Sequence, residues 1–249
     1  MELDHASLAF LLLAAPCVGS FLGTMVERLP AGEPFAFSRS RCDACHHALG
    51  GRDLVPVVSW IARRGRCRHC RERIALFHPM VELSALAVAV TAVVAVPAPA
   101  LPASLALGWT LLALALVDVR HFLLPDRLTI PLLFAGLAVA ALESGHSLTD
   151  AMLGAGLGYA SLACIAGLYR RARGRDGLGL GDAKLFAALG AWVGWQGLPS
   201  TLLIACLAAL AAALVAARGR PDPTMPIPFG PWLALGGWAM WLMGPLVPA

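Results

Sequence analysis

Gly179-Leu180-Gly181-Asp182-Ala183-Lys184 sets an aspartate between a glycine-rich approach and an apolar run that continues over residues 183–198. Alone this says little, because aspartate caps exposed N–H groups at helix starts. It gains meaning from Asp118, which closes another apolar run at residues 105–117. Two carboxylates at the ends of two membrane-length helices, if they lie at one depth, can share a proton and activate a water, the arrangement in which paired aspartates hydrolyse peptide bonds.

The chain has 249 residues, 59% of them hydrophobic and 14% charged, a balance that excludes a large soluble domain. Apolar windows fall at residues 7–26, 79–96, 101–117, 128–142, 151–169, 183–198, 201–217 and 229–247. The expectation is therefore an all-α polytopic membrane protein of about eight transmembrane helices. The 19 basic residues lie in four places: Arg28 to Arg73, Arg120 with Arg127, Arg170 to Lys184, and Arg218 with Arg220. Those are the four connections on one side of an eight-span chain. Loops rich in Lys and Arg stay cytoplasmic, so both termini are expected outside. The net charge of +4 is a topology signal in this setting and no nucleic-acid footprint. The N-terminus lacks a basic region and carries Glu2 and Asp4, which points to an uncleaved first span.

Residues 28–78 form the one sizeable soluble segment, between a first helix at 1–27 and a membrane domain at 79–249. It carries Cys42-Asp43-Ala44-Cys45 and, after 21 intervening residues, Cys67-Arg68-His69-Cys70. Paired CxxC turns at nearly this separation set four thiolates at the corners of a tetrahedron, a zinc-ribbon-like arrangement that suits Zn2+. Disulfides compete, although a cytoplasmic loop is reducing. A segment this small buries little core, so a metal would supply much of its folding energy. His46, His47 and His69 read as surface residues. The basic cluster Arg63, Arg64, Arg66, Arg68, Arg71 and Arg73 reads as a face toward lipid headgroups, with docking of an acidic partner or anionic cofactor as the alternative.

Asp126 follows Pro125 and has a structural reading at a helix start, whereas Asp118 meets an unfavourable helix C-terminus without a local partner, so function explains it better. Lys184 either pairs with a carboxylate or snorkels. Gly154, Ala155, Gly156 and Gly158 form a packing face, and Cys17, Cys164 and Cys206 read as small core residues. The turn at Arg218–Pro228 is proline-rich, and Trp232, Trp238 and Trp241 read as interfacial or packing residues.

Seven segments in order now carry a resemblance. They are Gly19-Ser20-Phe21-Leu22 with Arg28-Leu29-Pro30, Ser40-Arg41-Cys42 through Cys45, and Pro56-Val57-Val58-Ser59-Trp60. Arg64-Gly65-Arg66-Cys67-Arg68-His69-Cys70 and Pro79-Met80-Val81-Glu82-Leu83 follow, then Asp118 with Leu124-Pro125-Asp126, and the opening hexapeptide. Over nearly its whole length the chain resembles the bacterial type IV prepilin peptidases, membrane aspartic proteases of the GxGD class. The resemblance implies that Asp118 and Asp182 are the catalytic pair. It implies substrates that are prepilins and the pseudopilins of type II secretion, cut after a glycine on the cytoplasmic side of the bacterial inner membrane. Members with the four cysteines commonly also methylate the new N-terminus with S-adenosylmethionine, and Cys42, Cys45, Cys67 and Cys70 are all present. One departure is Gly23, where the family usually has asparagine. A different reading is a transporter with aspartates as a proton or cation relay; against it, both acids lie at helix ends on one side.

Overall fold

The computed structural model describes residues 4–30, 32–34, 40–42, 44–142, 147–174, 177–216 and 227–244. Glu2, Asp43, Arg175, Asp176, Arg218, Arg220 and Pro226, and with them most of the 218–228 turn, lie outside these. The described residues are helical with only two isolated β-bridges, and the chain divides into two compact units, Met1–Trp109 and Thr110–Ala249.

In the first unit, α1 (His5–Arg28) packs on α3 (Phe77–Ala95). Their approach depends on Gly19: a Cβ there would collide with the Glu82 backbone of α3. Arg28 lies in the last turn of α1, where a cation meets the negative helix end. Between these helices run the four-cysteine segment and the five-residue α2 (Val58–Ala62). α3 ends just before Pro97, which cannot continue a helix. The start of α4 (Leu101–His121) is tied back to α3 by the Trp109 indole, which donates to the Ala85 carbonyl at 3.0 Å.

In the second unit α5 (Asp126–Leu142), α6 (Leu148–Arg173), α7 (Leu180–Ala216) and α8 (Gly230–Met243) pack around α7. The Ser147 side chain accepts from the Asp150 N–H at the start of α6, and left-handed Gly174 stops it. Gly154 and Gly190 press backbone to backbone between α6 and α7, and Gly158 meets the Phe186 carbonyl. Gly156 touches nothing within 4 Å, so the small-residue face is narrower than its sequence suggests. Trp192 of α7 donates to the Leu132 carbonyl of α5 at 2.8 Å and lies edge-on to Trp241 of α8.

Among the described residues, five helices are long and apolar enough to cross a membrane: α1, α3, the 98–121 segment, α6 and α7. That count leaves the expectation of about eight spans unconfirmed: α5 has 17 residues, α8 has 14, and α7 is one helix broken within its length. α7 corrects one expectation. The apolar windows at 183–198 and 201–217 suggested two helices with a connection between them, at about residues 196–200, but that stretch is helical, and the break falls at Gly194 with φ 70° and ψ 173°. That backbone region is essentially open to glycine alone.

Candidate active site

Asp118 and Asp182 both belong to the second unit and are buried, 6% and 9% exposed. Asp118 lies one turn before the end of α4; left-handed Phe122 (φ 51°) closes the helix after it. An acid there faces the negative pole of its own helix. The compensation comes from α8, whose first residue, Gly230, donates its N–H to Asp118 Oδ2 at 2.9 Å. Asp118 thus sits at a helix start that favours anions. A side chain at 230 would displace the carboxylate, since a Cβ would stand 2.7 Å from Asp118 Oδ2 and 3.1 Å from Leu124 Cδ2.

Asp182 occupies the first turn of α7, where the helix dipole favours a carboxylate. The Gly179 backbone donates to that carboxylate, and the Asp118 charge is felt there. Leu124, buried beside the starts of α7 and α8, explains the second glycine of the bracket, while the first, Gly179, lies against the Asp182 carboxylate. A Cβ on Gly181 would be 3.2 Å from the Leu124 Cβ, and Leu124 also meets Gly230. One leucine therefore gauges the spacing of both carboxylates.

Asp126 and Lys184 settle each other's roles. Lys184 Nζ contacts Asp126 Oδ1 and Oδ2 at 2.7 and 2.8 Å, on the exposed side of the site. The lysine pairs rather than snorkels, and the Asp126 carboxylate is engaged in joining the starts of α5 and α7.

In the first unit the reactive sulfurs of Cys42, Cys45, Cys67 and Cys70 lie within 4.8 Å of one another. Each CxxC forms the same turn: Cys42 N–H donates to His47 O, and 25 residues later Cys67 N–H donates to Glu72 O. The bridges Arg41–Ala48 and Arg66–Arg73 repeat at that offset, as do left-handed His46 and Arg71. Thiolates 2.3 Å from a tetrahedral metal stand about 3.8 Å apart; Cys42 Sγ and Cys70 Sγ are 3.7 Å apart. The donor set fits a metal ion. Backbone N–H groups of Cys70 and His69 bring the Cys67 thiol down to about 6. A Glu72 N–H favours the Cys70 thiolate, yet loss of solvent and the sulfurs of Cys45, Cys67 and Cys42 outweigh it and push Cys70 up to about 12. Four crowded thiols keep a proton that a cation would displace. His47 and His69 stack at 3.6 Å between the two turns.

Two residues were missed by sequence reasoning. Gly230 looked like an ordinary helix start beside prolines, since its partner is 112 positions away. Glu82, 7% exposed in α3, takes the Val57 N–H on Oε2 at 2.7 Å. Its signal was available, because an acid in an apolar run needs a reason. Gly23 faces His78 and Phe77 of α3, with a Cβ there 3.7 Å from His78 Nδ1.

Fold and site define a polytopic helical membrane protein with two buried helix-end aspartates and, in its other unit, a four-thiol centre. Residues 105–214 match the model of the Type IV leader peptidase family, and residues 13–96 match the Bacterial Peptidase A24 N-terminal domain. A protein of Burkholderia pseudomallei (strain 1026b) named prepilin leader peptidase/N-methyltransferase is 43% identical, covering 95% of this chain and 85% of the relative. Proteins of the same name from Aeromonas hydrophila and Stutzerimonas stutzeri are 38% and 37% identical, covering 98% and 97% of this chain and 94% and 93% of theirs. No solved structure matches. The chain belongs to the type IV leader peptidase family, and the transport alternative finds no support.

Proposed function

We propose that the protein removes the leader from prepilins, and from the pseudopilins of type II secretion, and methylates the new N-terminus. The carrying observation is the pair of buried carboxylates, Asp118 and Asp182, set by Leu124 at the starts of α7 and α8. One carboxylate takes a proton from water while the other, protonated, polarises the scissile carbonyl; the tetrahedral intermediate then collapses without an acyl-enzyme as the first carboxylic acid passes its proton to the leaving amine nitrogen and the C–N bond breaks. Gly230 N–H holds Asp118 in position, and an extended peptide would reach Asp182 past the Gly177–Gly181 approach.

The membrane arrangement that fits is eight spans: α1, α3, α4, α5, α6, the two halves of α7 on either side of Gly194, and α8. With arginines inside, the aspartates face the cytoplasm of a bacterial inner membrane and both termini lie outside. The segment at 28–78 is read as a zinc-holding domain and 79–249 as the peptidase domain. Cys42, Cys45, Cys67 and Cys70 would hold Zn2+ structurally. S-Adenosylmethionine supplies the methyl group; no residue is singled out for it.

The deciding experiment incubates the purified protein, and its Asp118→Ala and Asp182→Ala variants, with a prepilin and S-adenosylmethionine and weighs the intact product. Loss of the leader in the parent alone is expected, with an added methyl on the product. Near-normal cleavage by either variant defeats the catalytic assignment.

A further inference from the structure

Arg63, Arg64, Arg66, Arg68, Arg71 and Cys67 line a cavity of about 610 Å3 in the four-cysteine segment. Arg63 pairs with Asp53 at 2.7 Å; among the described residues the other four guanidiniums have no carboxylate partner. Left-handed backbone at Arg64 (φ 52°) and Arg71 (φ 61°) turns the chain around the cavity. The turn is held by Ile74 N–H to the Gly65 carbonyl and by the Trp60 indole to the Ile74 carbonyl at 3.2 Å. The fold thus imposes a convergence of like charge that an anion would relieve.

A second observation lies directly upstream in the chain. Val58 and Ile61, three apart on one face of α2, are each 62% exposed, and Leu54 and Val55 before them are 40% and 45% exposed. Apolar side chains beside a ring of cations are what an element lying in a membrane interface presents.

We infer that this segment seats on anionic phospholipid, with headgroup phosphates in the arginine cavity and Leu54, Val55, Val58 and Ile61 at the boundary of headgroups and acyl chains. Arginine forks bind phosphate oxygens in pairs, which favours phosphate over a diffuse counterion. This seating does not depend on the peptidase assignment.

The test is amide hydrogen exchange of the full-length protein in nanodiscs of phosphatidylcholine, with or without phosphatidylglycerol. Exchange across residues 52–74 is expected to slow about fivefold or more with the anionic lipid, and Arg64→Gln with Arg68→Gln should erase that difference. Should the double variant fail to insert, Val58→Ser with Ile61→Ser replaces it and should reduce the gain. Equal exchange in both lipids, or a gain untouched by the variants, overturns the inference. So does full protection in phosphatidylcholine on adding inorganic phosphate, which would mark a site for a soluble anion.

Discussion

The amide of Gly230 donates to Asp118 Oδ2 over 2.9 Å, so the first turn of α8 holds a carboxylate that its own helix repels. Gly230→Ala forces a Cβ within 2.7 Å of that oxygen. A displacement of about 1 Å at a reacting group costs about 100-fold in rate. Cleavage should fall by that order while the variant still inserts and melts near the parent; cleavage at the parental rate would remove α8 from the site.

Asp126 and Lys184 offer the contrast. Their pair is exposed, 51% and 39% for the side chains, so its loss should cost less than about 1 kcal/mol after solvent screening. Asp126→Ala and Lys184→Ala are expected to retain clear prepilin cleavage and to be non-additive in thermal unfolding. Abolition by Asp126→Ala, as severe as Asp118→Ala, would make Asp126 a reacting group.

Metal removal is read in the four-cysteine segment. Stripping with a chelator should release one metal per chain and leave residues 40–74 exchanging fast, while α6 and α7 stay protected. Unchanged exchange after the metal has left would show that the two turns hold themselves.

Glu82 anchors a strained turn. Val57 has φ 60° and ψ −51°, the centre of a γ-turn that a β-branched residue rarely adopts. Glu82→Ala leaves the half-buried Val57 N–H without that acceptor and should destabilise by about 1–2 kcal/mol. Glu82→Gln, which keeps a carbonyl acceptor, should recover part of that in thermal unfolding. Equal loss in both would shift the role of Glu82 from acceptor to charge.

The apolar runs, the two aspartates and the paired CxxC turns were legible because each is local: a run, a glycine bracket, a spacing. Gly230 was not, since its partner lies 112 positions away; Glu82 announced itself as an acid in an apolar run, but nothing local pointed to the Val57 N–H as its partner. The break in α7 was misplaced for a related reason. Gln196, Gly197, Pro199 and Ser200 carry the composition of a connection, yet a proline costs a helix only local bonds, and Gly194 alone takes a backbone angle that no helix contains. The repeat of the cysteine turns is written in hydrogen bonds and left-handed residues, and His46 and Arg71 share no chemistry that a sequence could reveal.

The Gly194 break also has a bearing on the lipid. Residues 180–193 and the 14-residue α8 reach about 21 Å each, against a hydrocarbon core of about 30 Å. Short helices draw a bilayer inward or pull polar flanks down. Around Asp118 and Asp182 the membrane is therefore expected to be pinched, bringing water to a bond that would otherwise stay in oil. Reconstituted in lipids of increasing acyl length, the protein should cleave prepilin progressively more slowly, with thickness acting as a brake on hydrolysis.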